Sequence, residues 1–227
     1  MAQDSAPGAA IYSSLVLLIY DFWVLFISNL YAWRCPTGTI LVPFFNKNIS
    51  KKHLDVGVGT GYYLAHAPLT ASHSITLLDL NRNSLDAANR RIGGKAKTLL
   101  HDALEPLPIE EGERFDSVSL CYLLHCMPGP PERKVKLFAN LRGVLSEKGV
   151  LFGTTVLGQG VEHNAFGRYL MSLYNKKGLF GNELDSRKVF EDALRENFEE
   201  VDCRIEGVVL LFEARRPRVE KTKRARL

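Results

Sequence analysis

The stretch "HLDVGVGTGYYL", His53 to Leu64, decides the fold. An apolar run meets an acid, Asp55, and three glycines then follow at alternate positions, Gly57, Gly59 and Gly61. Glycine at this density marks a backbone that turns tightly and passes close to something without a Cβ in the way. A helix opening directly after the loop aims its free N–H groups at the same place. Strand, bare loop and helix together describe a cradle at the carboxyl end of a parallel strand, where open α/β sheets bind ligands.

Outward from this loop, strand and helix patterns alternate. "SITLLDL", "KTLLHDA", "RFDSVSLCY" and "GVLFGTTVL" read as strands, with "NSLDAANRRIGG" and Pro131–Leu145 as helices between them. Ser186–Asn197 is the last long helix, and "EEVDCRIEGVVLLFEA" reads as two strands hinged at Gly207. Such alternation predicts a mostly parallel sheet covered on both faces. Residues 1–9 are small and polar and are read as disordered. Residues 10–48 form a helical cap built on the apolar run Ile11–Trp33, with Asp21 at its centre and Tyr12, Tyr20, Trp23 and Tyr31 along it. A central carboxylate costs roughly 2.5–3.5 kcal/mol on insertion scales, so the reading is a packed helix with no stable membrane insertion, an interfacial helix being the alternative. Residues 49–214 form the main domain, interrupted at 158–185 by a Gly-containing, aromatic segment read as a mobile lid.

The 227 residues suffice for one substantial core. The net charge of +4 is local: Arg215–Leu227 holds seven Lys or Arg and one Glu, leaving about −2 for the rest (4 − 6). Residues 215–227 are therefore a basic flexible tail, and no basic face for nucleic acid is expected. Cys35, Cys121, Cys126 and Cys203 form no C-x-x-C pair, which predicts reduced thiols in a cytoplasmic protein and no zinc site.

The glycine spacing fits neither a dinucleotide fingerprint nor a P-loop, since Tyr62 or Leu64 falls where the third small residue should be and no Gly-Lys-Ser/Thr follows. The pattern D-x-G-x-G-x-G does match, and it resembles the first motif of the class I S-adenosylmethionine-dependent methyltransferases. Asp79 closes strand two, where an acid accepts ribose hydroxyls, a position shared with NAD enzymes. In the family an acid at Asp102 contacts the adenine amino group, with Ala103 under the ring. "FDSVSLCYLLHCMP" resembles the fourth motif, and "LRGVLSEKGVLFGTT" the turn into strand five, with Ser-Glu-Lys-Gly in place of the usual Leu-x-Pro-Gly-Gly. The resemblance spans about residues 50 to 214. It implies a Rossmann-like three-layer sandwich whose seven-stranded sheet ends in an antiparallel strand, Val208–Ala214.

The resemblance implies S-adenosyl-L-methionine as cofactor, held by Tyr20, Asp55, Gly57, Gly59, Thr60, Gly61, Asp79, Leu80, Asn81, Asp102, Ala103, Cys121 and Tyr122. Asp55 either organises the loop and reaches the aminoacyl ammonium or is a buried brace. Methyl transfer rests on alignment and water exclusion, and needs a base only if the nucleophile must lose a proton. His125, beyond strand four, and His163, in the insertion, are the candidate bases; a loop-capping role for His125 is the alternative. His53, His66, His73 and His101 are read as structural or exposed, and no metal is expected. The implied activity is methylation at O or N of a small, rather apolar metabolite, secondary-metabolite or quinone-like, by a monomer or homodimer. A non-methylating role on the same fold, as a cyclising catalyst or a synthase subunit, is the alternative.

Overall fold

The computed structural model describes residues 22–219. Seven strands, β1 (Lys52–Val56), β2 (Ser74–Asp79), β3 (Lys97–Leu100), β4 (Phe115–Cys121), β5 (Leu145–Val156), β6 (Phe198–Glu206) and β7 (Val209–Pro217), form one sheet in the order β3-β2-β1-β4-β5-β7-β6. β7 runs antiparallel to both β5 and β6; the other pairings are parallel. The expected class I methyltransferase topology is thus present, with a longer β5 than the sequence suggested, because Leu145 pairs with Phe115 across a register shift before Gly149. The sheet order reverses between β1 and β4, and the glycine loop leaves β1 at that switch point.

The main helices are α1 (Phe22–Ala32), α2 (Val42–Asn48), α3 (Tyr62–Ala65), α4 (Arg82–Arg91), α5 (Pro131–Lys134), α6 (Lys136–Val144), α7 (Ala165–Lys176) and α8 (Arg187–Asn197), with short helical pieces at Thr37–Leu41 and Leu124–Cys126. One core lies under α6 and α8, where Leu137, Phe138, Phe190 and Leu194 meet Leu54, Val118 and Leu120 of the sheet. The other lies under α2 and α4, where Phe45, Leu85 and Ala88 meet Leu77, Phe152 and Leu211. β-Strand alternation explains this: even-numbered residues of β1 and β4 enter the first core and odd-numbered ones face the second, except Phe115, which precedes a register shift and joins the first core.

The first helix belongs to the fold at its described end. α1 has wide turns, Trp33 N–H bonding to Ser28 C=O at 2.8 Å, five residues back. Trp33 C=O accepts the Val208 N–H at 3.0 Å, which ties the segment to the β6–β7 turn. Gly207 is required there, since it has φ +60° and a Cβ would lie 2.1 Å from Trp33 O. The expected flexible tail 215–227 begins too early, since residues 215–217 belong to β7, Arg215 pairing with Val150 and Glu200. Residues 10–21, with Tyr12, Tyr20 and Asp21, and residues 220–227 lie outside the described residues, as does the side chain of Trp23. Among the described residues no helix is long and apolar enough to cross a membrane.

The insertion 158–185 is anchored to the body. Lys134 Nζ donates to Asp185 Oδ1 at 2.9 Å, Asp185 Oδ2 at 2.8 Å and Gly181 O at 2.6 Å, with both side chains fully buried. Those three acceptors use all three ammonium donors. Asn182, also fully buried, donates to Val156 O at 2.9 Å and pairs with Asn175. Opening the segment at this end would break a buried ion pair.

Candidate active site

The glycines of the loop have different jobs. All three have positive φ, 73°, 53° and 70°. A Cβ on Gly57 would lie 2.7 Å from Leu123 Cδ1, and one on Gly61 2.8 Å from the Cα of Ala88 in α4. On Gly59 it would meet nothing within 4 Å. So Gly57 and Gly61 have protein packed where a Cβ would go, whereas the space beside Gly59 is open and its glycine answers to the positive φ. Thr60 is buried and accepts from Arg91 at 3.1 Å, which pins the loop to α4.

Asp79 stands at the end of β2 with its carboxylate turned to the loop. The N–H groups of Val58, Gly59, Leu80 and Asn81 point at it and pull its pKa down against the larger upward push of burial. Asn81 N donates at 2.8 Å. The Asn81 side chain caps α4 by accepting the Asn83 N–H at 2.9 Å. Leu80 is half exposed. Asp102 accepts the Leu104 N–H at 2.9 Å. A cleft of about 140 Å³ brings Gly57, Asp79, Leu80, Asp102, Ala103 and Leu123 together. Sequence reading did not single out Leu123, Met127 or Arg133, which also line it, nor Asn140, whose amide donates at 3.1 Å to the carbonyls of Ala103, Leu104 and Glu105. Asn140 lies on α6, and no local pattern marks it.

Asp55 is buried beside the loop and accepts a short hydrogen bond from Ser119 Oγ. Desolvation pushes its carboxyl up to about 7, the Ser119 bond pulling down and Asp79 adding to the rise. Cys121 closes β4 next to it, its thiol pushed well up by burial and by the Asp55 charge. Tyr122 follows with φ +60°, strained for a residue with a Cβ, and its hydroxyl is buried with no hydrogen-bond partner among the described residues.

The segment after β4 has two sides. Leu123, Cys126 and Met127 face the cleft. Tyr122 and His125 join a run of rings: Tyr122 to His125 at 5.2 Å, His125 to Phe180 at 4.5 Å, Phe180 to Trp33 at 6.1 Å and Trp33 to His163 at 6.0 Å. His125 is buried, and its Nδ1 accepts the Val156 N–H at 3.3 Å, so the proton sits on Nε2. Burial, with Lys134 adding to it, holds His125 down to about 3. An imidazole with its lone pair engaged and its cation disfavoured is a poor base. His163 differs in its free lone pair, although burial and the Arg34 and Arg168 charges lower its pKa as well. Its Nε2–H donates to Leu157 O at 2.8 Å, leaving a buried Nδ1 lone pair without a partner. Among the described residues no cluster of His, Cys, Asp and Glu could hold a metal ion.

The profile of the family described as "Methyltransferase domain" matches residues 54–153. The "Physcion biosynthesis cluster O-methyltransferase" of Aspergillus chevalieri is 49% identical over 213 residues, 93% of this chain and 96% of that protein. Among solved structures, an O-methyltransferase family protein from Burkholderia thailandensis superposes with a TM-score of 0.64 at 16% identity over 92% of this chain. The neocarzinostatin-biosynthesis O-methyltransferase NcsB1, in complex with S-adenosylhomocysteine and 1,4-dihydroxy-2-naphthoic acid, superposes with a TM-score of 0.57 at 20% identity over 93% of this chain. The chain spans about three fifths of those two solved chains, 62% and 59%.

Proposed function

The chain belongs to the S-adenosylmethionine-dependent methyltransferases, and from that premise we propose that it methylates a hydroxyl oxygen of a small, flat, largely apolar secondary metabolite. The observation that carries the acceptor reading is the two-sided segment after β4. The residues that wall the nucleoside cleft on one side hold Tyr122 and His125 in the ring run on the other. Flat apolar walls with a few polar tips suit an aromatic acceptor. The relative from the physcion biosynthesis cluster, an O-methyltransferase by name, supports oxygen over nitrogen.

The residues present fit the cofactor. Gly59 leaves the room a ligand needs, the cleft is lined by two acids, and Asp55 is a buried carboxylate with no cationic partner among the described residues. In this reading Asp79 takes the ribose hydroxyls, Asp102 and Ala103 hold the adenine, and Asp55 faces the aminoacyl ammonium. Tyr20 in this role lies outside the described residues. S-Adenosylmethionine, when bound, supplies a methyl group on a sulfonium. The protein's part is to hold the acceptor oxygen in line and keep water out, worth roughly 7–11 kcal/mol in well-oriented reactions. His163 is the base we assign for an acceptor that must lose its hydroxyl proton, because its lone pair is uncommitted. Tyr122 offers its hydroxyl to the acceptor's polar edge.

The test is acceptor-dependent formation of S-adenosylhomocysteine, with the methylated product located by mass spectrometry and NMR. Phenolic bicyclic or tricyclic compounds should support it and aromatic amines should not; the reverse would move the reaction to nitrogen, and cofactor binding without any phenol turnover would sink the reading. The two histidines should separate. His125→Asn should cost about 1–3 kcal/mol of stability, the range for a buried donor left unpaired, with cofactor affinity unchanged. His163→Gln should lower kcat by roughly 10²-fold or more at neutral pH with the fold intact. Full activity in the second variant would retire it as base.

A further inference from the structure

We propose that His53, acting through Ser119, is a positioning residue for Asp55, and that the chain Ser117–His53–Ser119–Asp55 has two opposite polarities that interchange when the cofactor takes the proton off Asp55. The inference rests on Asp55 facing the aminoacyl ammonium of the cofactor.

The chain follows from strand register. β1 and β4 pair His53 with Ser117 and Asp55 with Ser119, so all four side chains point to one face of the sheet. His53 Nδ1 lies 2.8 Å from Ser117 Oγ and Nε2 lies 3.1 Å from Ser119 Oγ. Ser119 Oγ bonds to Asp55 Oδ1, and the Ser50 N–H donates to Ser117 Oγ at 2.8 Å. His53, Ser117 and Ser119 are each fully buried, and the imidazole packs against Phe45 and Phe152. Nothing in methyl transfer accounts for two serines and a histidine here, the ring packed against Phe45 and Phe152.

A serine hydroxyl has one proton to give, so each end of the chain dictates the other. With Asp55 ionised, Ser119 donates to the carboxylate and His53 Nε2–H donates to Ser119. His53 Nδ1 then accepts from Ser117. With Asp55 protonated, the acid donates to Ser119, and Ser119 donates to Nε2. His53 Nδ1–H then donates toward Ser117, whose backbone carbonyl also faces the ring. Both arrangements keep every link of the chain, the Ser117 hydroxyl turning its own proton away from the ring in the second. They differ by one proton, which goes to solvent when Asp55 ionises; the other protons only change the atom they sit on.

The surroundings keep both states within reach. Burial holds His53 down to about 3, so near neutral pH the ring stays uncharged and changes only its tautomer. The nearby His73 adds to this lowering. Asp55 is faced by Asp79 from β2, which disfavours its charge, and by the neutral Cys121 thiol from β4, and burial above all sets it near 7. An ammonium beside it reverses the balance. Since only the ionised form pairs with that cation, affinity should rise with pH, roughly tenfold between pH 6.0 and 7.5. In that window the ligand's own α-amino group stays mostly charged.

The experiment uses the full-length protein labelled with ¹⁵N-histidine, its His53 ring signals assigned by their loss in His53→Gln. The ring should carry its proton on Nδ1 at pH 5.5 and on Nε2 at pH 8.5, and S-adenosylhomocysteine at pH 6.5 should drive it to Nε2. Calorimetry at pH 6.5 in buffers of different ionisation enthalpy should show a net release of protons on binding. Ser119→Ala should make the tautomer independent of pH and ligand; should that variant fail to fold, Asp55→Asn should hold one tautomer throughout. A tautomer unmoved by pH, or one that still responds in Asp55→Asn, overturns the inference. S-Adenosylhomocysteine that binds without moving the tautomer overturns it while leaving the cofactor reading intact. Failure of S-adenosylhomocysteine to bind overturns the cofactor reading instead, and the pH titration still decides the chain.

Discussion

Lys134→Met will cost the protein about 3–5 kcal/mol of stability, the range for removing one partner of a buried ion pair. The reason is the completeness of the site. The Lys134 ammonium gives its donors to Asp185 Oδ1, Asp185 Oδ2 and Gly181 O, and neither side chain reaches water. Methionine fills the space of the stem but leaves the Asp185 carboxylate buried and unpaired. Desolvation already raises Asp185 to about 6 with the lysine in place, so without it the carboxyl will take a proton. For a chain of this length the loss corresponds to a fall in Tm on the order of 10 °C. The double variant Lys134→Met, Asp185→Leu should recover most of it, because an apolar pair of similar volume often matches a buried ion pair. A Tm within 1–2 °C of wild type, about the noise of such a measurement, would mean that the pair is not formed. The consequence for activity is specific. The pair ties α5 to the far end of the 158–185 segment, whose Phe180 belongs to the ring run. Acceptor KM should therefore rise in the single variant, with cofactor affinity held by the cleft at β1–β3.

Asp79→Ala will weaken cofactor binding by about 3 kcal/mol, at least a hundredfold in Kd, twice over the reach of an ordinary hydrogen bond. Two losses add. The ribose loses a charged acceptor, and the loop loses the anion toward which the N–H groups of Val58, Gly59, Leu80 and Asn81 converge. The second loss is the larger surprise, since it makes Asp79 the organiser of the glycine loop as well as a ligand contact. Asp79→Asn should fall between the two, keeping an acceptor but not the charge. Calorimetry with S-adenosylhomocysteine measures this directly, and an unchanged Kd in the alanine variant would remove Asp79 from the ribose site. Loop order offers a second check. In Asp79→Ala the amides of Val58 and Gly59 should exchange with solvent faster, even without ligand.

Much of this protein could be read along the chain. The glycine loop, the acids at the ends of β2 and β3 and the alternation of strands with helices are local patterns, and local spacing carries them. β7 is antiparallel for the reason its sequence suggested: a hairpin at Gly207 must return the chain beside its partner. The glycines themselves were only half legible. Sequence calls for three bare positions, but it takes the packing of Leu123 and Ala88 to show that Gly57 and Gly61 are bare for the protein, while Gly59 faces open space. His125 and His163 looked alike as candidates. Their difference lies in which nitrogen a backbone group engages, Val156 N–H at Nδ1 of His125 and Leu157 O at Nε2 of His163.

The sequence by itself marked the strands and the glycine loop, because each is a local pattern, and the class of cofactor followed from the family resemblance that this loop carries. Tertiary structure alone decided the buried pair of Lys134 with Asp185, 51 residues apart, and the chain from His53 to Ser119, 66 residues apart. Lysine is usually a solvated surface residue and serine usually a neutral one, so neither announces itself. Their roles are set by which strand lies beside which and in what register, and by the removal of water that makes a single hydrogen bond decisive.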